Sequence, residues 1–291
     1  MGGEWGVGAA LAFETLPAEG RGFFSGLLQE GYAVGYLFAA AVYGLAFTTV
    51  GWRGMFVIGA LPAFLVIYIR SNVDESPAWR RGKFVEVENR PWKDVLPNPG
   101  LFLFLVVLMF AFTSFSHGIQ DIYPTFLRQN LRFTPGTIGF IAIVYNVGAL
   151  AGGIAFGHWS ERIGRRRAIV IAALLAIPVI PLWAYSRTVP MLSLGGFLMH
   201  FMMQGAWGVV PAHLNELSPP GVRGTLPGFA YQLGNLLSSR NAVIQAKLAE
   251  SRYGGSFAPV LGWTVLIVAS LVAIVTWLGH ERHGADLSTT A

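Results

Sequence analysis

Two ionisable residues, His117 and Asp121, stand four positions apart inside a long apolar run, 101–127. On a helix that spacing leaves them about 40° apart on one face, with Thr113 and Gln120 on the same stripe. An ionisable group in a membrane span costs roughly 2.5–3.5 kcal/mol on insertion scales, so such groups mark ion or substrate paths by default. A histidine beside a carboxylate titrates near physiological pH, which suits proton transfer. The competing reading is a structural hydrogen-bond pair that ties one helix to its neighbour. A second polar face, Gln232, Asn235 and Ser239, recurs at helical spacing in the run 225–248. Its amides suit a hydroxyl or carboxylate, or else a helix–helix contact. Arg240 is the one arginine placed within a run. It is the natural counter-charge for an anion, a partner for Asp121, or a side chain reaching outward along its span. Glu30, in the run 23–49, is a second proton group or a partner of Arg240.

The elements that position these groups must be membrane helices. Of 291 residues, 54% are hydrophobic and only 12% charged, about half the roughly 25% of an ordinary soluble domain. That is too little polar surface to coat one soluble core, and the same apolarity excludes disorder. A span needs about 20 mostly apolar residues. Eight runs qualify: 23–49, 55–69, 101–127, 138–156, 168–185, 191–213, 225–248 and 257–278. Barrel strands would alternate in polarity over about 10 residues, so the expected fold is an all-α polytopic membrane protein. A ninth run, 5–13, is too short to span and leads unbroken into Glu14. It reads as the final stretch of a helix that begins upstream, since Met1-Gly2-Gly3-Glu4 has no signal-peptide charge.

The cysteine count is zero, which excludes disulfides, thiolate metal sites and cysteine nucleophiles. No Gly-x-Ser-x-Gly, His-Glu-x-x-His or Walker pattern occurs, so no enzyme, cofactor or metal is expected. His200 and His213 lie 13 positions apart, too far to share a metal. Gly31/Gly35 and Gly148/Gly152 are small-residue pairs for close helix packing.

Basic residues alternate between the connections. One set of loops and tails holds 13, among them Arg21, Arg70, Arg162, Arg223 and Arg282, and the other holds 6. By the positive-inside rule the first set, with the C-terminus, is cytoplasmic. This bias accounts for the net charge of +5 without a nucleic-acid partner; Arg165-Arg166-Arg167 is too hemmed in by helices for one. The stretch 71–99 is the longest polar connection and reads as a cytoplasmic linker between a first bundle, 1–70, and a second, 100–279, with a tail at 280–291.

Two connections share a pattern. Glu14-Thr-Leu-Pro17-Ala-Glu-Gly-Arg21-Gly22 precedes Gly26, and Glu216-Leu-Ser-Pro219-Pro-Gly-Val-Arg223-Gly224 precedes Gly228. The offset is 202 at all three points (216−14, 223−21, 228−26). Duplicated halves with a site between them are the build of many secondary transporters. A further loop, Gly157-His-Trp-Ser-Glu161-Arg162-Ile-Gly164-Arg165-Arg166-Arg167, resembles the G-x-x-x-D/E-R-x-G-R-R signature of the major facilitator superfamily. Glu75-Ser76-Pro77-Ala78-Trp79 resembles the sequence that superfamily carries after its sixth helix. The resemblance implies a twelve-helix fold in which this chain supplies the end of the fourth helix and the fifth to twelfth, lacking helices 1–3 and part of helix 4. It also implies a cytoplasmic gate at Gly157, Glu161, Arg162, Gly164, Arg165 and Arg166.

The segment Thr113 to Thr125 is similar to the signature N-x-x-[S/T]-H-x-[S/T]-Q-D-x-x-x-T of the lactate and pyruvate permeases in the sialate:proton symporter family. Ser116, His117, Gln120, Asp121 and Thr125 match; Thr113 and Ile119 depart from it. Tyr231-Gln232-Leu-Gly-Asn235 is similar to that family's eleventh helix and implies substrate contact by Gln232 and Asn235. Sialate permeases of the family carry two extra helices between the halves, which 71–99 is too short and polar to hold. The expectation is a proton-coupled symporter of small monocarboxylates in the plasma (bacterial inner) membrane, monomeric, with substrate, proton and lipid bilayer as its partners. Another organic acid or sialate, or a fragment or transporter-like sensor that does not transport, stands as the alternative.

Overall fold

A computed structural model describes residues 2–72, 99–285 and 287; among them every regular element is a helix. The linker expected at 71–99 falls almost wholly outside the described residues. The chain opens with α1 (Gly2–Thr15), and a short turn leads into α2 (Arg21–Ala60) and α3 (Phe64–Asn72). α2 loses helical geometry at Gly51, which separates the runs expected at 23–49 and 55–69. Then come α4 (Pro99–Gln120), α5 (Tyr123–Gln129), α6 (Pro135–Ile163) and α7 (Arg165–Ala176). The remainder is α8 (Ile180–Ala184), α9 (Val189–Leu217), α10 (Leu226–Ser238), α11 (Asn241–Tyr253) and α12 (Ala258–Leu278).

Five stretches are long and apolar enough to cross a membrane: Thr49–Ile69, Pro99–Gln129, Pro135–Ile163, Arg165–Ala184 and Ala258–Leu278. All lie on expected spans. The other three expected spans depart from plain apolarity for separate reasons. The run 191–213 forms most of α9, in which 21 of 29 residues are buried, so its composition answers to neighbouring helices rather than to lipid. The run 23–49 carries Gln29 and Glu30, and Glu30 is buried. The run 225–248 is two helices, broken at Ser239 and Arg240. There Ser238 and Ser239 turn their hydroxyls onto the carbonyls of Asn235 and Leu236, local bonds that compete with helix continuation.

α9 is the central post, packed against α6, α7 and α2, while α4 packs against α10 and α12. Residues of α4 to α12 share one apolar core. α1 joins this core along α10, and α2 along α6 and α9. The α2–α6 contact is backbone on backbone: a Cβ added at Gly26 would collide with main-chain atoms of Gly153 and Ile154. Gly148 and Gly152 pack on α9 in the same way, as expected, whereas Gly31 and Gly35 meet nothing within 4 Å. The close face of α2 is instead the one that carries Gly22 and Gly26.

Candidate functional site

α4 ends one turn beyond His117. Asp121 and Ile122 form a turn, and α5 begins with Pro124 at its second position, where the missing N–H leaves the α4 ladder unfinished. The Gly118 carbonyl accepts from Gln245 Nε2 at 2.9 Å, and the same amide donates to Thr264 Oγ1 at 3.1 Å. The break sets the Asp121 carboxylate beside the imidazole: His117 Nδ1 lies 3.2 Å from Oδ2 and 3.3 Å from Oδ1. Across the helix gap, His117 Nε2 faces Asn235 Oδ1 of α10 at 3.4 Å. α10 comes this near because Gly234 rests on the backbone of Met109 and Phe110, where a side chain has no room. The His117 and Asp121 side chains are 41% and 39% exposed, so a solute can reach them.

The other expected site residues divide. Gln120, Thr125 and Gln232 are half-buried and make no side-chain hydrogen bond among the described residues. Ser116 bonds back to the Thr113 carbonyl at 3.2 Å. Thr113 is buried with its hydroxyl on Met109 O at 2.8 Å, so it belongs to packing rather than to the polar face. Arg240 stands exposed at the start of α11 and pairs with neither Asp121 nor Glu30. Glu30 is buried on α2 against Gly153 and beside Gln204.

An aromatic chain lies one turn from Asn235 toward the Arg223 end. The Trp5 ring of α1 stands 5.3 Å from Tyr231, which stands 5.7 Å from Trp207, itself 5.4 Å from Phe112. Trp5 Nε1 donates to Gln29 Oε1 at 3.3 Å. Trp5 and Gln29 belong to no motif in the sequence; the one signal there is a tryptophan in a stretch rich in glycine.

The arginine-rich end of the bundle is joined by a network of polar contacts. Gly164, at φ 90°, turns the chain between α6 and α7. Arg165 is fully buried; it donates to Ser160 Oγ at 2.7 Å, to Glu161 at 3.1 Å, and to Glu216 through Nε at 3.2 Å and Nη2 at 3.1 Å. Glu161 reaches across to accept the Gly22 N–H of α2, and the Gly157 carbonyl lies against Gly22. Arg166 donates to the Thr276 carbonyl at 3.1 Å and to Trp277 O at the end of α12. Arg162 is exposed. The two repeated motifs exchange partners: Arg21 pairs with Glu216 at 3.5 Å, and Arg223 pairs with Glu14 at 3.6 Å. Each ion pair therefore joins α1/α2 to α9/α10, and neither forms within its own motif.

Comparison with known proteins agrees with this architecture. A "Carboxylic acid transporter protein homolog" of Saccharomyces cerevisiae is 30% identical over 331 residues, covering 99% of this chain and 53% of its own length. The sialic acid transporter NanX of Escherichia coli is 29% identical over 80% of this chain and 58% of its own. The cis,cis-muconate transport protein of Acinetobacter baylyi is 24% identical over 90% of this chain and 64% of its own. The chain thus spans a little over half the length of the curated relatives it matches. Among solved structures, the human organic anion transporter MFSD10 superposes with a TM-score of 0.66 at 15% identity, covering 92% of this chain and 67% of its own; this likeness concerns the fold. The family model described as "Major Facilitator Superfamily" matches residues 1–125 and 119–290. The chain belongs to the major facilitator superfamily, a family of transporters and not of enzymes, and is a multi-pass membrane protein.

Proposed function

We propose that this protein is a proton-coupled symporter of small monocarboxylates such as lactate or pyruvate, working by alternating access. The observation that carries the reading is the exposed His117–Asp121 pair with Asn235 on the far side of the ring. An acceptor stands at each ring nitrogen, an arrangement that an imidazolium satisfies with its two N–H groups. Loss of the proton turns one nitrogen into an acceptor, and the Asn235 amide must then turn its NH2 toward the ring or give up the contact, so protonation is linked to the contact between α4 and α10. A group whose charge changes that contact biases two conformations against each other, which is what coupling requires.

The substrate carboxylate is placed against His117 and the amides of Gln120, Gln232 and Asn235, with Ser116 and Thr125 at its edge and Arg240 as a cation at the rim. Glu30 is the second proton group. With the arginine-rich end taken as cytoplasmic, Gly157, Glu161, Arg162, Gly164, Arg165 and Arg166 form the gate there, and the contacts across that end support a closed state on that side. The match of 116–125 to the lactate and pyruvate permeases supports a small acid. The aromatic chain from Trp5 to Phe112, together with relatives named for sialic acid and muconate, favours a second reading, a larger organic acid. Counterflow in proteoliposomes separates the two. Labelled lactate or pyruvate should accumulate against its unlabelled form, with acetate a weak competitor. Uptake of sialic acid or muconate, uncompeted by either monocarboxylate, would refute the small-acid assignment.

A further inference from the structure

Beyond α12 the chain turns back across the arginine-rich end and is held at successive points. The Glu281 carboxylate accepts the Arg166 N–H at 2.9 Å, at the start of α7. His283 Nε2 lies 3.6 Å from Glu161 Oε2. Arg21 Nη1 donates to the Ala285 carbonyl at 2.9 Å, and Arg223 Nη1 donates to the Leu287 carbonyl at 3.0 Å. The Leu287 side chain is 1% exposed and packs with Ala9 and Phe13 of α1 and with Ala212 of α9, flanked by Leu16 and Ala285. The two arginines are the equivalent positions of the internal repeat, one from each bundle.

We infer that residues 280–285 together with Leu287 form a strap that holds the cytoplasmic gate shut, with Leu287 as its wedge and Arg21 and Arg223 as its two clamps. The contacts are specific to the closed arrangement. Leu287 needs α1 and α9 on either side of it, and the clamps come from α2 and from the connection before α10. Separating the bundles at this end exposes the leucine and takes at least one carbonyl from a charged donor, a stronger bond than a neutral one. A segment that binds one of two conformations lowers the population of the other by its differential affinity. The strap is therefore autoinhibitory, and its release speeds opening toward the cytoplasm. This rests on the alternating-access reading, but its first readout needs no substrate.

The chain has no native cysteine, so spin labels at Glu19→Cys and Pro220→Cys, both exposed and one from each bundle, report the gate distance directly. Leu287→Asp, and separately termination after Gly284, should raise the open-to-closed ratio roughly tenfold, which corresponds to about 1.4 kcal/mol, while Leu287→Met should keep the closed distance. Turnover of transported acid should rise in the same two variants. Unchanged distances in both variants overturn the strap, whatever transport does. A distance shift in a protein that moves none of the acids tried upholds the strap and counts only against the substrate reading.

Discussion

Glu216→Gln keeps the shape of the side chain and removes the charge that two arginines share. The Glu216 side chain is fully buried, with Arg165 at 3.1 Å from its own bundle and Arg21 at 3.5 Å from the other. At an effective dielectric of ~20, a pair at that second distance attracts by about 5 kcal/mol before desolvation is counted. Breaking a buried pair costs about 3–5 kcal/mol. The Arg165 contact persists when the bundles part, so its share is common to the open and closed states and cancels. The Arg21 share, taken as about 1–2 kcal/mol, does not cancel and shifts the two populations about 5- to 30-fold. The label pair at positions 19 and 220 measures that ratio in detergent or in bilayers. Glu14→Gln is the internal comparison: its pair with Arg223 is 3.6 Å long and the Glu14 side chain is 13% exposed, so solvent screens it and the shift is smaller. An unchanged distance distribution in Glu216→Gln would refute the reasoning. A larger shift in Glu14→Gln than in Glu216→Gln would refute it equally.

Gly26→Val forces side-chain atoms onto the backbone of Gly153 and Ile154; overpacking of about 1–3 kcal/mol falls on the closed state alone, and the same labels should move apart. Asn235→Leu removes the acceptor at His117 Nε2 and should raise the KM for the transported acid about tenfold with expression unchanged, whereas an unaltered KM would take Asn235 out of the site. Gln245→Leu leaves Gly118 O without a donor in a buried position. It should cost about 1–3 kcal/mol and lower Tm by several degrees in a thermal melt, with KM unaffected.

The apolar runs were legible because lipid demands them, and the five clearest spans coincide with helices. What the runs concealed were their breaks. Pro124 lies inside an apolar stretch, so the turn at Asp121 is silent in composition, although it sets the carboxylate beside His117. The division of 225–248 depends on serine hydroxyls that either bond their own backbone or stay free, and only the folded chain decides which. That division moved Arg240 from the interior of a span to an exposed helix start. The repeat was legible as an offset of 202, but not its crossed pairing. Which arginine meets which glutamate depends on how two bundles face each other, and neither motif encodes that alone. Glycine spacing had the same limit: Gly31/Gly35 and Gly22/Gly26 have equivalent spacings, and α6 chose the second pair.

The central claim is that His117 and Asp121 couple a proton to carboxylate movement. The most direct measurement is uptake of labelled lactate or pyruvate into proteoliposomes under an imposed pH gradient, by the parent protein and by His117→Ala, with exchange measured in parallel. The account predicts that the parent accumulates the acid uphill, and that the variant loses accumulation while substrate exchange across the membrane continues. Undiminished uphill accumulation in His117→Ala would contradict it and leave the pair as a structural tie between α4 and α10.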